Sequence, residues 1–170
     1  VPGAGDRVVG GLVEPKSHYL YPGALFVHPE PHLVTTVLGS CVAVCLWEPQ
    51  LACGGINHFL LPLWNGEGLP TPRYGNVAIP LLVEQLTALG ARRERLQAKL
   101  FGGASMWQGS EGLLAVGERN IALARTQLGE LHVPILAADV GGTMGRKLVF
   151  NSGTGEVLLR RNRNQARPAD

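Results

Sequence analysis

The stretch Thr35-Thr36-Val37-Leu38-Gly39-Ser40-Cys41-Val42-Ala43-Val44-Cys45 constrains the fold more than any other. On either side of Gly39-Ser40 the residues are mostly β-branched or apolar, which favours strands over 33–37 and 42–47. Gly39 and Ser40 form a turn that sets Cys41 at the rim of the second strand, where a substrate can reach it. Glu48-Pro49-Gln50 reads as a further turn. Residues 54–61 read as another apolar strand, ending at Pro62 where the ladder loses a donor. Two such neighbouring strands bring Cys41 near His58.

A thiol beside an imidazole is the minimum equipment of a cysteine nucleophile. The imidazole removes the thiol proton, and free N–H groups at a glycine turn can receive the developing oxyanion. The competing reading is that Cys41 is a core residue, since cysteine is among the most buried types. A zinc site built from Cys41, Cys45, Cys53 and His58 is disfavoured. An extended chain separates 41 from 45 by about 13 Å, and the usual two-residue gap between ligands is missing. Cys45 and Cys53 are then packing residues, and no metal ligand is assigned.

The remaining chain supplies scaffold and loops. Residues 1–32 carry little signal beyond Val8 and Val9 as a strand start, with Pro15, Pro22, Pro29 and Pro31 as breaks. His18, His28 and His32 read as surface or loop residues. Residues 63–75, rich in Gly, Pro and Asn, form an irregular loop that either roofs the site or merely connects. A helix follows to Gly90, capped by Asn76, with Pro80 in its first turn and Ile79, Leu82, Val83, Leu86 and Leu89 at helical spacing. Residues 96–101 read as a strand ending in the small-residue loop Gly102-Gly103-Ala104-Ser105-Met106. That loop lacks phosphate-loop and dinucleotide spacing and suits backbone approach to a substrate or oxyanion. A second helix is expected over about 118–128, with Ile121, Ala124 and Leu128 on one face, then a strand over 133–137. Asp139 before Gly141-Gly142 is either a site carboxylate or, more in keeping with its neighbours, a turn or capping residue. Residues 147–150 and 156–159 flank a β-hairpin turn.

Composition closes off several classes. The 170 residues suit one domain, 45% of them hydrophobic and 16% charged, with a formal charge of +2. So small a charge gives no long-range pull toward nucleic acid or an anionic membrane. The arginines at 160, 161, 163 and 167 have no interleaved aromatics, which favours a solvated tail over a nucleic-acid patch. No apolar run approaches the ~18 residues of a membrane span, so no membrane insertion is expected. Three cysteines and no evident leader point to a cytoplasmic protein with reduced thiols. The expected boundaries are one domain over 1–160 and a basic, disordered tail over 161–170.

Five segments, in order, resemble the CheD family of chemoreceptor glutamine deamidases. They are Leu38-Gly39-Ser40-Cys41-Val42-Ala43-Val44, Gly55-Ile56-Asn57-His58-Phe59-Leu60-Leu61-Pro62, Lys99-Leu100-Phe101-Gly102-Gly103-Ala104-Ser105-Met106, Gly117-Glu118-Arg119-Asn120, and Asp139-Val140-Gly141-Gly142 with Gly145-Arg146 and Phe150. The resemblance implies a mixed α/β fold of packed β-sheets flanked by helices, as in deamidase toxins. It places the nucleophile on Cys41 and the catalytic histidine on His58. The third member is a threonine six positions before the cysteine, which is Thr35 and not Thr36. Gly39, Ser40, Asn57, Gly102, Gly103 and Ser105 are the candidate substrate or oxyanion loops.

The implied reaction converts receptor glutamines to glutamates through a thioester, without a cofactor. The implied partners are the cytoplasmic helices of methyl-accepting chemoreceptors and a CheC-type phosphatase. Glutamate methyl esters would form the same acyl-enzyme. Two other classes stay open, a docking module without chemistry and a different thiol hydrolase or amidotransferase.

Overall fold

The apolar run after Cys41 becomes β6 (Val42–Glu48), the middle strand of a five-stranded sheet in the computed structural model, which describes residues 8–9, 12–105 and 111–162. β6 pairs antiparallel with β7 (Cys53–Asn57) on one side and with β8 (Gln97–Gly102) on the other. β4 (Leu25–Val27) closes one edge against β7, and β9 (Ile135–Val140) closes the other, parallel to β8.

A second, four-stranded sheet lies over one face of the first. Its order is β11 (Val157–Asn162), β10 (Gly145–Asn151), β5 (His32–Leu38) and β3 (Lys16–Tyr19). A separate two-stranded ribbon joins β1 (Val8–Val9) and β2 (Leu12–Val13). The helices α1 (Gly75–Ala88) and α2 (Glu111–Glu130) cover the opposite face of the five-stranded sheet. The mixed α/β expectation of packed sheets and flanking helices is borne out.

Side-chain alternation along β6 decides which layer each residue joins. Val42, Val44 and Leu46 face the helices and pack with Ile79, Leu82, Leu86, Ala124 and Leu128. Ala43 and Cys45 face the other sheet and pack with Val34, Leu38, Ile56, Leu148 and Phe150. Covered on both faces, β6 reads as an almost continuous apolar run rather than an alternating one. Each fully buried Leu, Ile or Phe in these two cores contributes about 1.5–3 kcal/mol of transfer free energy.

Asp139 on β9 joins the sheets. Its carboxylate accepts from Arg146 Nε on β10 at 2.7 Å and from Arg161 Nη2 on β11 at 2.6 Å. Those arginines, Arg161 first, hold its carboxyl below the usual carboxylate range against a smaller opposing effect of burial. Its carboxylate is engaged by arginines of the other sheet and not by a turn or cap hydrogen bond.

Several expectations are corrected. β11 continues to Asn162, so Arg161 is an ordered strand residue and not the start of a tail; 163–170 lie outside the described residues. Tyr74, not Asn76, precedes the first helical residue; the Asn76 amide oxygen accepts the Trp64 N–H instead. Pro80 stands beyond the first turn of α1. The third strand stops at Asn57 and continues only as an isolated bridge between Val42 and Phe59. The second helix begins earlier than expected, at Glu111, and Met106 lies outside the described residues. β3 and β4 occupy the stretch that carried little signal. His32 is buried, its ring against Phe26 and His28.

Candidate active site between the two sheets

The Gly39-Ser40 turn carries the chain from β5 in one sheet to β6 in the other, so Cys41 stands at the end of the inter-sheet space. Its side chain is partly exposed and packs against the inter-sheet cluster. Beyond β7, Val42 and Phe59 exchange backbone hydrogen bonds at 3.0 and 3.1 Å. In that register Cys41 and His58 are diagonal neighbours on the same face, a relation that spans about 7–8 Å between Cα atoms and less between side chains. The two residues singled out as nucleophile and base are brought together.

The third residue is displaced by one position. Thr36 Oγ1 lies 2.7 Å from His58 Nδ1 and donates to the Leu20 carbonyl at 2.8 Å. Both Thr36 and His58 are buried. Thr35 belongs to the other side of β5, where side chains leave the sheet interface, and it pairs with Val149 and Tyr19. The threonine hydroxyl beside His58 is therefore that of Thr36, where the sequence reading had expected Thr35. Strand parity is the physical reason, since a one-residue step moves a side chain to the opposite face.

The hydrogen bonds decide the imidazole tautomer. A hydroxyl has one proton, and Thr36 gives its own to Leu20, so it must accept from His58 Nδ1–H. That leaves the lone pair on Nε2, which is buried with no partner among the described residues. Burial lowers the His58 pKa to about 4, so the ring is neutral at pH 7. Burial raises the Cys41 thiol, and its own backbone N–H partly offsets this. The resting pair is thiol and neutral imidazole, not a preformed ion pair.

The glycine loop has a supporting place. Gly103 N–H donates to the Cys41 carbonyl at 2.9 Å, Ala104 N–H to Gly39 at 3.0 Å and Ser105 N–H to Gly142 at 2.8 Å. Gly102, at φ +104°, approaches the Cys41 carbonyl so closely that any Cβ there would collide with it. The N–H groups of Gly103 and Ala104 are thus spent on holding the Gly39–Cys41 turn and that of Ser105 on the Gly142 loop, so the Gly103 and Ser105 N–H groups are not free oxyanion donors. Asn57 is corrected too. It is fully buried, and its Oδ1 accepts the Val44 N–H at 2.9 Å.

Gly39 and Ser40 build the turn itself. The sequence reading assigned no role to Asn120, whose amide donates to the carbonyls of Ser40 and Leu60, both at 3.0 Å. Cys45 is fully buried, and Cys53 Sγ donates to the His28 carbonyl at 3.4 Å. Among the described residues no three His, Cys, Asp or Glu side chains gather as a metal set.

Residues 60–161 match the family model described as CheD chemotactic sensory transduction. The chain belongs to the CheD family. A probable chemoreceptor glutamine deamidase CheD of Trichlorobacter lovleyi is 53% identical over 150 residues, 88% of this chain and 93% of that protein. The CheD relative from Sulfurimonas denitrificans, of the same description, is 47% identical over 87% of this chain and 96% of its own. One from Anaeromyxobacter dehalogenans, a probable chemoreceptor glutamine deamidase CheD 1, is 46% identical over 94% and 91%. The CheD family-model match begins just past His58 and does not include Cys41, His58 or Thr36. No helix among the described residues is long and apolar enough to cross a membrane.

Proposed function

We propose that this protein deamidates glutamine side chains on the cytoplasmic helices of chemoreceptors, with Cys41 as nucleophile and His58 as acid and base. The observation that carries the reading is the chain Leu20 carbonyl, Thr36 hydroxyl, His58 Nδ1–H, which leaves Nε2 as the acceptor on the face shared with Cys41. The names of the CheD relatives supply the substrate class.

His58 Nε2 takes the thiol proton as Sγ attacks the amide carbon, forming a tetrahedral oxyanion. The imidazolium then passes its proton to the departing nitrogen, ammonia leaves, and a thioester remains on Cys41. Water, giving a proton to His58, attacks the thioester, and glutamate is released with the thiol restored. Cys41, His58 and water carry every proton, so the sequence calls for no cofactor. A glutamate methyl ester would enter the same acyl-enzyme with methanol as leaving group.

The rim of the site suits a helix. Tyr21 (68% exposed) and Leu63 (61%) stand on segments next to His58, whose carbonyl accepts the Gly23 N–H. Apolar side chains exposed beside a nucleophile offer a surface for an amphipathic receptor helix that presents a glutamine. A CheC-type phosphatase with a similar helix would compete for this rim.

The test is ammonia release and a mass gain of about one dalton on a receptor cytoplasmic fragment. The wild type should convert glutamine to glutamate while Cys41→Ala and His58→Ala do not. Equal inertness of all three, with binding retained, would overturn the enzyme reading in favour of a docking module.

A further inference from the structure

Asn120 occupies an unusual place for a buried amide. It projects from α2 into the region where β6 and the chain beyond β7 part company. Below it, Val42 and Phe59 are joined by two backbone hydrogen bonds. Above it, no backbone bond joins Ser40 or Cys41 to Leu60 or Leu61, and the Asn120 amide spans the gap through Ser40 O and Leu60 O. Two carbonyl acceptors at 3.0 Å settle which end of the side chain is nitrogen, because only the NH₂ end can donate. The Asn120 side chain is fully buried, so this bridge is held away from water.

Gly117 explains how α2 comes so near. A Cβ there would meet the carbonyls of Gly103 and Ala104 at 2.5 and 2.8 Å, so only glycine lets the helix lie against the loop that supports Cys41. Three residues on, the same helix face carries Asn120, and one further carries Ile121, which touches Gly103. The segment Gly117-Glu118-Arg119-Asn120 is thus one device, a close approach followed by a two-carbonyl clamp.

The clamped carbonyl shares a peptide plane with the nucleophile's own N–H. In a trans peptide the Ser40 C=O and the Cys41 N–H point in opposite directions. Turning Ser40 O toward α2 therefore turns the Cys41 N–H away from the helices, toward the side on which the thiol lies. That N–H donates to no backbone carbonyl among the described residues and faces the Cys41 thiol itself. We propose that Asn120 is a positioning residue of the reaction: it fixes the Ser40–Cys41 peptide plane so that the Cys41 N–H receives the oxyanion, and ties that plane to the segment carrying His58.

This inference rests on the deamidase reading and is tested separately from it. Alkylation of Cys41 by iodoacetamide needs an accessible thiol but forms no oxyanion, whereas deamidation needs both. Asn120→Leu, of similar volume, removes both donors. Asn120→Asp keeps the shape and removes them in its ionised form. For each folded variant, kcat for receptor-fragment deamidation should fall about 100-fold, the order seen for loss of one oxyanion donor. KM should stay within about 2-fold and the Cys41 alkylation rate within about 3-fold of wild type, since neither depends on the oxyanion. For Asn120→Asp, the deficit relative to wild type should shrink as pH falls and the carboxyl regains a proton to donate.

Equal losses in alkylation and deamidation would overturn the proposal, because Asn120 would then act on the thiol or the whole fold. So would a folded variant with kcat within about 3-fold of wild type, since no donor would have been lost. If Asn120→Leu does not fold, Asn120→Asp and its pH profile decide. Wild-type protein as inert as Cys41→Ala would instead remove the deamidase reading itself.

Discussion

Cys41 and Cys45 lie on one strand line, on the same face, four residues apart. Their chemistry is opposite. Cys45 is sealed between the sheets, and burial pushes its thiol far above the ordinary range, with Lys99 opposing only in part. Cys41, about 13 Å along the same strand direction, is partly exposed and shares its face with His58, whose buried Nε2 has no partner among the described residues. Strand parity decides that both thiols enter the inter-sheet space. Position along the strand decides that only Cys41 of the two is open to solvent. The Gly39-Ser40 turn, by ending the sheet contact there, makes the difference.

The strongest way to break this contrast is to remove each thiol in turn. Cys41→Ala should lower deamidation by at least about 10⁴-fold with little change in Tm, as expected for loss of a nucleophile. Cys45→Ala should leave kcat within a few-fold and cost about 1–2 kcal/mol of stability, a small buried cavity's worth. Denaturant unfolding and single-turnover assays on both variants check the pair. If Cys45→Ala were the inactive one, the assignment would be reversed.

A parallel contrast separates the adjacent threonines. Thr36→Val strips the acceptor from His58 Nδ1–H and leaves the Leu20 carbonyl unpaired, which should lower kcat about 10–100-fold. Thr35→Val, on the outer face, should leave activity nearly unchanged. Steady-state kinetics of the two variants would sharpen the parity assignment, and equal effects would break it.

The pH dependence of stability sharpens the contrast between His58 and an exposed imidazole. The folded ring titrates near about 4 and an ordinary one near 6.5, so the unfolded chain binds more protons between those values. Stability from this group is fully present above about pH 6.5 and is lost as pH falls through 4, by about 3 kcal/mol in all. His58→Gln should flatten that acid limb in denaturant titrations between pH 7 and 4. An unchanged limb would mean that the ring is not buried neutral.

Much of this was legible in the residues because it depended on local chemistry. A glycine and serine between apolar runs singled out Cys41, and the next apolar strand made His58 a neighbour, but it was the family resemblance and not the spacing that joined the two as a candidate pair. The hairpin around Asn151-Ser152-Gly153 and the apolar stripe of α1 were equally local signals. Thr36 was not legible by alternation, because both faces of β5 carry apolar residues, with Val34 and Leu38 on one and Leu33 and Val37 on the other. Either threonine then suits either face.

Asn57 and the glycine loop misled for a different reason. Their residue types fit substrate contact, but Asn57 Oδ1 is taken by the Val44 N–H and the loop N–H groups by the carbonyls of Cys41, Gly39 and Gly142. Asn120 acts across 80 residues of sequence on Ser40, a relation no spacing rule can express. β3 and β4 were missed because short strands broken by proline carry little periodicity.

The most direct measurement is acid-quench mass spectrometry of the enzyme during turnover of a receptor glutamine peptide. A thiol mechanism predicts a transient adduct of the peptide's mass less ammonia, mapped to Cys41, cleaved by hydroxylamine and absent from Cys41→Ala. Deamidation that proceeds with no adduct at any quench time, and persists in Cys41→Ala, would contradict it.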